Sequence, residues 1–132
     1  MIQLCTVLNI NDNTGAQKGV CLKVLNKSKK QIGFVSDIVL LAFTKIKKKK
    51  KSKKIYKKEL HKGLIIRTKK KLSRYDGSSI KFNENCVVLL KKEMQKNMYS
   101  PIGTRILGPV TNELRIYKDR YFRIMSIAAK SL

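Results

Sequence analysis

The chain has 132 residues, with 31 Lys and Arg against 8 Asp and Glu, a formal net charge of +23. That excess excludes an ordinary acidic enzyme and points to a polyanionic partner. Hydrophobic residues make up 42% of the chain, which excludes a wholly disordered basic tail and fits one compact domain over residues 1–132.

Gln3–Ile10 alternates with period two, Leu4, Thr6, Leu8 and Ile10 facing one way and Cys5, Val7 and Asn9 the other, which predicts a strand. Asn11–Gly15 is a dense turn signal, because Asn and Asp bond their own backbone and Gly accepts positive φ. Gly19–Leu25 alternates again, Lys27–Gly33 is a polar turn, and Ser36–Thr44 is an apolar, β-branched run suited to a buried strand. Lys45–Lys58 is a charge block, KIKKKKKSKKIYKK. Gly63–Thr68 resumes a strand. Asp76-Gly77 is a strong hairpin signal, followed by short strands at Ser79–Phe82 and Cys86–Leu90. Lys91–Ser100 reads as a polar loop, and Gly103–Leu107 as a last strand stopped by Gly108-Pro109.

The period then changes. With Thr111 as N-cap, Leu114, Tyr117 and Tyr121 fall at helical spacing, Glu113 in the first turn and Lys118 in the last. A second short helix is expected around Phe122–Ile127, so residues 111–132 form a C-terminal helical segment. Close-spaced strands with little helix before the end predict a mainly β fold, a small barrel or sandwich. Phe34 and Phe82 are assigned to the core.

Cys5, Cys21 and Cys86 are odd in number, widely spaced and set among apolar neighbours. They read as buried reduced thiols rather than as a disulfide framework or a zinc site. Met1–Gly15 lacks a basic n-region and a long apolar stretch, so no secretory signal is expected. The longest apolar run, Ile38–Phe43, falls well short of the roughly 20 residues that span a bilayer. The single histidine, His61, has no carboxylate placed by sequence to orient it. The eight acids are scattered, and no phosphate-binding glycine loop occurs. The sequence therefore argues against an enzyme and calls for no metal or cofactor.

The lysines carry the functional signal. Lys47, Lys48, Lys49, Lys50, Lys51, Lys53 and Lys54 crowd into eight positions. Such a run cannot enter a core and must be exposed and extended. Ile46, Ile55 and Tyr56 at its edges suggest a hairpin arm that leaves the barrel and returns. Cations recur elsewhere, at Lys18, Lys23, Lys69, Lys70 and Lys71 and at Arg67, Arg74, Arg105, Arg115 and Arg123. A chain basic nearly throughout suits burial in folded RNA, where each phosphate contact releases counterions. The few aromatic residues form no stacking platform, so recognition by shape, phosphate and 2′-OH is expected.

From Gly63 to Leu89 the chain resembles the signature of the universal large-subunit ribosomal proteins of the L-fourteen family. A small residue (Gly63) precedes three aliphatics (Leu64–Ile66). A basic spacer (Arg67–Tyr75), Asp76-Gly77, Phe82, Asn85 and the Val88-Leu89 pair follow. The segments Asp12–Ala16, Lys23–Leu25, Pro101–Val110, Asn112–Arg115 and Arg123–Ala128 also match, in order. The resemblance implies a five-stranded β-barrel with a protruding basic hairpin and short C-terminal helices. It implies large-subunit rRNA and neighbouring ribosomal proteins as partners, and a bridge to small-subunit rRNA. It also implies a face open to a ribosome silencing factor.

Asn13, in the matching Asp12–Ala16 turn, is expected to contact rRNA together with Lys18, Lys23, Lys47, Lys48, Lys49, Lys50, Lys51, Lys53, Lys54, Arg67, Lys69, Lys70 and Arg74. Thr104 and Arg105, from the late Gly-Thr-Arg loop, and Arg123 form an intersubunit or partner face. Two departures stand out. Ser36-Asp37 replaces a usual Gly-Asp, which predicts a wider turn, and the arm is nearly all lysine. A free-standing nucleoid-type protein is the alternative function. The excess of Lys over Arg, eight Asn and many Ile lean towards A/T-rich codons. They favour an organelle-encoded copy, mitochondrial ahead of plastid, with a small-genome bacterium next.

Overall fold

Two runs of the chain are apolar on both faces, and the fold follows from covering both. In the computed structural model, which describes residues 1–25, 27, 31–47, 59–92 and 99–132, these runs are neighbouring strands. The strands in chain order are β1 (Val7–Ile10), β2 (Ala16–Val24), β3 (Ile38–Ile46), β4 (Leu60–Arg67), β5 (Leu72–Ser73), β6 (Ser79–Ile80), β7 (Cys86–Lys92) and β8 (Tyr99–Pro101). A 3₁₀ segment, Asn112–Tyr117, leads into α1 (Lys118–Ile127).

Strands β1-β2-β3-β4-β7 are hydrogen-bonded in that order, and a parallel pairing of β1 with β7 (Asn9 opposite Cys86, Ile10 opposite Val87) closes a five-stranded barrel. The long β2–β3 ladder carries irregularities after Ala16, Lys18 and Cys21, and such bulges supply the bend that closure needs. Alternate residues then separate two cores. Leu8, Leu41, Ile65, Val87 and Leu89 fill the barrel. Leu64, Ile66, Cys86, Val88 and Leu90 point outward and are covered by Val110, Leu114, Tyr121 and Ile124 of the C-terminal segment. A strand buried on both faces reads as a continuous apolar run, which is why β4 and β7 show no clean alternation.

The structure corrects several expectations. The first strand is shorter than Gln3–Ile10, because Cys5 has φ 63° and a turn at Leu4-Cys5 interrupts it. Cys5 is exposed, whereas Cys21 and Cys86 are buried. Phe34 is 40% exposed rather than core, held by its N–H to Asp37 Oδ2 at 2.7 Å. At Ser36-Asp37 the chain turns with Ser36 at φ 76°, the Asp37 N–H donating to Phe34 O at 3.2 Å and the Ser36 N–H to Ile65 O at 3.0 Å.

Part of the expected loop Lys91–Ser100 is strand, at β7's end and the start of β8. Gly103–Leu107 is not a strand and pairs only at Ile106, with Asp12 and Ala128. Thr111 precedes the 3₁₀ segment, but its hydroxyl donates to Ile66 O at 3.3 Å instead of capping. Lys118 opens α1 rather than ending a helix, and α1 kinks at Tyr121. The expected hairpin is present: Asp76 Oδ1 accepts from the Ser78 N–H and hydroxyl, Gly77 has φ 79°, and β5 pairs with β6. The lysine arm from Lys48 to Lys58 lies outside the described residues.

Candidate nucleic-acid interface

Where β2 and β3 emerge from the barrel, Lys18 stands directly opposite Lys45. Both are exposed. Like charges facing each other across an antiparallel pair are unfavourable in water unless something else neutralises them. The Lys47 N–H donates to Gly15 O at 2.8 Å, so the close approach at Gly15 is made to the end of β3. Together these elements border a groove of about 490 Å³, with Lys18, Lys45 and Lys47 along it and Asn11 and Leu107 in its lining. A second depression of about 460 Å³ shares Asn9 and Lys18 and adds Lys69, Asn83 and Asn85. Lys45 is a groove cation that sequence reasoning did not single out, although it opens the charge block.

The floor is neutralised internally. Glu84 accepts from Asn9 Nδ2 at 2.8 Å and Asn11 Nδ2 at 3.1 Å, and lies 3.4 Å from Arg67 Nη2. The Cys86 thiol, the two amides and Arg67 hold its carboxyl below the usual range, against a contrary effect of burial. Burial, then the bond to Glu84, pushes the Cys86 thiol up to about 12, so it stays protonated as a donor.

Arg67 was expected to face RNA, but its side chain is 7% exposed. Its Nη2 donates to Leu107 O at 3.1 Å. Gly108 arches over it with φ 82°, and a Cβ there would lie 2.3 Å from Nη1. Arg74 is likewise engaged. Nε bonds Glu113 Oε1, and Nη2 bonds Glu113 Oε2 at 3.2 Å and the Leu132 main-chain oxygen at 2.8 Å. Arg67 ties the β4 end to the loop at Leu107, and Arg74 ties the β5–β6 hairpin to the C-terminal segment.

Asn13, Thr104 and Arg105, expected at two different faces, come together. Asn13 Nδ2 donates to Thr104 Oγ1 at 2.7 Å, and Asn13 Oδ1 accepts from the N–H groups of Thr104 at 2.8 Å and Arg105 at 3.3 Å. The carboxamide is therefore spent within the protein. Arg123 lies on α1, whose end is brought beside the loop by the Ile106–Ala128 pairing.

Lys23 is exposed on β2, away from the groove lining. Lys69 and Lys70 are exposed beyond β4. Lys70 Nζ lies 6.0 Å from the centre of the Phe34 ring, and Lys27 Nζ lies 4.9 Å from it while paired with Asp37 at 2.6 Å. Lys48, Lys49, Lys50, Lys51, Lys53 and Lys54 are outside the described residues. His61 stacks on Phe43, ring centres 5.0 Å apart, with Nε2 3.3 Å from Glu59. Among the described residues no three His, Cys, Asp or Glu side chains are grouped to hold a metal ion. A family model described as ribosomal protein L14p/L23e matches residues 1–132, the whole chain.

Proposed function

The chain belongs to the ribosomal protein L14p/L23e family and is a structural constituent of the large ribosomal subunit, and from that premise we propose how it engages RNA. The groove beside β2 and β3 takes the phosphate backbone of large-subunit rRNA. Lys18, Lys45, Lys47 and Lys69 neutralise it, and the lysine arm Lys47–Lys54 extends the contact. The observation that carries this reading is the cross-strand pair of exposed lysines, Lys18 and Lys45. Their mutual repulsion turns into attraction once a phosphate lies between them. Amide side chains in the floor add neutral donors for phosphate and 2′-OH oxygens. Arg67 and Arg74 are left out of this contact set because the fold uses them.

The loop at Thr104 and Arg105, with Arg123 near it, contacts small-subunit rRNA at a bridge. A silencing factor docking there would block subunit joining. On codon-leaning composition alone, the gene is organellar and mitochondrial, which the genomic location of the reading frame decides.

Each phosphate contact contributes roughly 0.7–0.9 to the slope of log affinity against log salt. Lys18→Ala, Lys45→Ala and Lys47→Ala combined should lower that slope on a large-subunit rRNA fragment by about 2–3. An unchanged slope rejects the groove as the RNA contact. Co-sedimentation with large subunits in high salt separates this role from nucleoid binding, since a free DNA-binding protein would be washed off.

A further inference from the structure

The loop Gly103–Arg105 has no strand ladder to fix it, yet its backbone donors are not left to solvent. Asn13 Oδ1 takes two of them, the N–H groups of Thr104 and Arg105. Because both groups at that atom are donors, the orientation of the carboxamide is determined: oxygen faces the loop backbone, and Nδ2 faces Thr104 Oγ1.

The bracket has a rigid root. Asp12 is buried, and its Oδ1 accepts from the Thr14 N–H and hydroxyl. Its Oδ2 accepts from the Leu89 N–H at 3.2 Å, in the gap on β7 between β1 and β8. The Leu107 N–H donates to Asn11 O at 2.9 Å. Gly103 completes the fit, since a Cβ there would come within 2.8 Å of Asn13 Oδ1 and 3.0 Å of Asp12 Cβ. Residues 11–13 and 103–107 are thus locked along their length.

A chemical consequence follows for Thr104. A hydroxyl offers one donor and two acceptor positions. Nδ2 of Asn13 already donates into Oγ1, so the hydroxyl hydrogen is committed away from Asn13. Thr104 is exposed and offers that hydrogen outward, next in sequence to the cationic Arg105. A donor and a guanidinium side by side suit an acceptor oxygen that carries negative charge, which is the chemistry of a phosphate.

We propose that Asn13 is the positioning residue of the partner-facing loop, and that it commits Thr104 to donate to a phosphate oxygen of the RNA at the bridge. The inference rests on the bridging reading of this loop, and the experiment separates the two. Asn13→Ala removes the bracket. Asn13→Asp keeps an acceptor for both loop N–H groups, but a carboxylate cannot donate to Oγ1, so the Thr104 hydroxyl turns inward and its outward donor is lost.

Two measurements are made on each variant. One is hydrogen exchange of the Thr104 and Arg105 amides in the purified protein. The other is joining of reconstituted large subunits to small subunits, with Arg105→Ala and Thr104→Val alongside. Asn13→Ala should speed exchange of both amides about tenfold and weaken joining about tenfold, since every 1.4 kcal/mol is a factor of ten. Asn13→Asp should hold exchange within about twofold of wild type, yet weaken joining to the level of Thr104→Val.

If Arg105→Ala joins like wild type, the bridging reading fails, while the amide exchange still decides the bracket. If Arg105→Ala weakens joining and Asn13→Ala does not, or if the two amides stay protected in Asn13→Ala, the positioning role is wrong. If Asn13→Asp joins as well as wild type, Thr104 is not committed as a donor.

Discussion

Replacing Arg67 with alanine tests whether a cation in the family-like basic spacer serves RNA or the fold. The side chain is 7% exposed, Nη2 bonds Leu107 O at 3.1 Å, and the ion pair with Glu84 spans 3.4 Å. A hydrogen bond from a charged donor contributes about 1.5–3 kcal/mol. Glu84 keeps 40% of its side-chain exposure and can rehydrate, so the ion pair itself adds no more than about 0.5 kcal/mol. Alanine keeps Cβ, so two buried stem methylenes are lost, at about 0.8 kcal/mol each. The sum is a loss of about 4 kcal/mol on these increments. In urea, with a slope of about 2 kcal/mol per molar, the unfolding midpoint should fall by roughly 2 M. Arg67→Lys keeps the charge and much of the stem but loses the planar fork beneath Gly108, and should cost about 1–2 kcal/mol. An Arg67→Ala protein as stable as wild type, but weaker on large-subunit rRNA, would refute the reasoning and return the residue to the RNA face.

Ser36→Gly should stabilise the protein. Ser36 has φ 76°, a region that costs a side-chain-bearing residue about 1–2 kcal/mol, so a net gain of about 1 kcal/mol is expected and a rise in Tm reads it. A fall in Tm would mean the hydroxyl outweighs the strain. Gly63→Ala should destabilise, because its Cβ would lie 2.6 Å from Leu41 Cδ2 and 3.4 Å from Val87 Cβ. Overpacking of this kind costs about 1–3 kcal/mol, and an unshifted urea midpoint would contradict the packing of the barrel interior. Burial pushes the Glu113 carboxyl up, but Arg74 and its own N–H outweigh it, so the group sits below its usual 4.5. A carboxyl lowered in the folded state stabilises fully above its unfolded value and loses that contribution as pH falls through the folded one. The advantage of wild type over Glu113→Gln should therefore be constant above about pH 4.5 and vanish on further acidification. A gap that widens in acid would contradict the Arg74 pairing.

The barrel was legible because its signals are local. Asp76-Gly77 carries its own turn chemistry, and the runs at β4 and β7 are apolar on both faces because both faces are covered. The segment Gly103–Leu107, which reads as a strand but is not one, misleads for the opposite reason. Its apolar flank suggested a strand, but its backbone donors are taken by the side chain of Asn13, 91 positions away from Thr104, and no local pattern records such a bond. Phe34 misled because apolar residues are common on surfaces.

Cations are harder still, because a lysine or arginine looks alike in sequence whether it serves the fold or a ligand. What sorts them is where the few acids go. Glu84 meets Arg67, Glu113 meets Arg74 and Asp37 meets Lys27, while Asp12 and Asp76 hold turns of the backbone. An acid spent beside a cation marks that cation as part of the fold. Lys18 and Lys45, set opposite each other on neighbouring strands, face another cation instead. In a chain carrying +23, the acids' positions therefore separate structural charge from charge offered to phosphate. They are assigned only once folding has brought together residues that lie far apart in sequence.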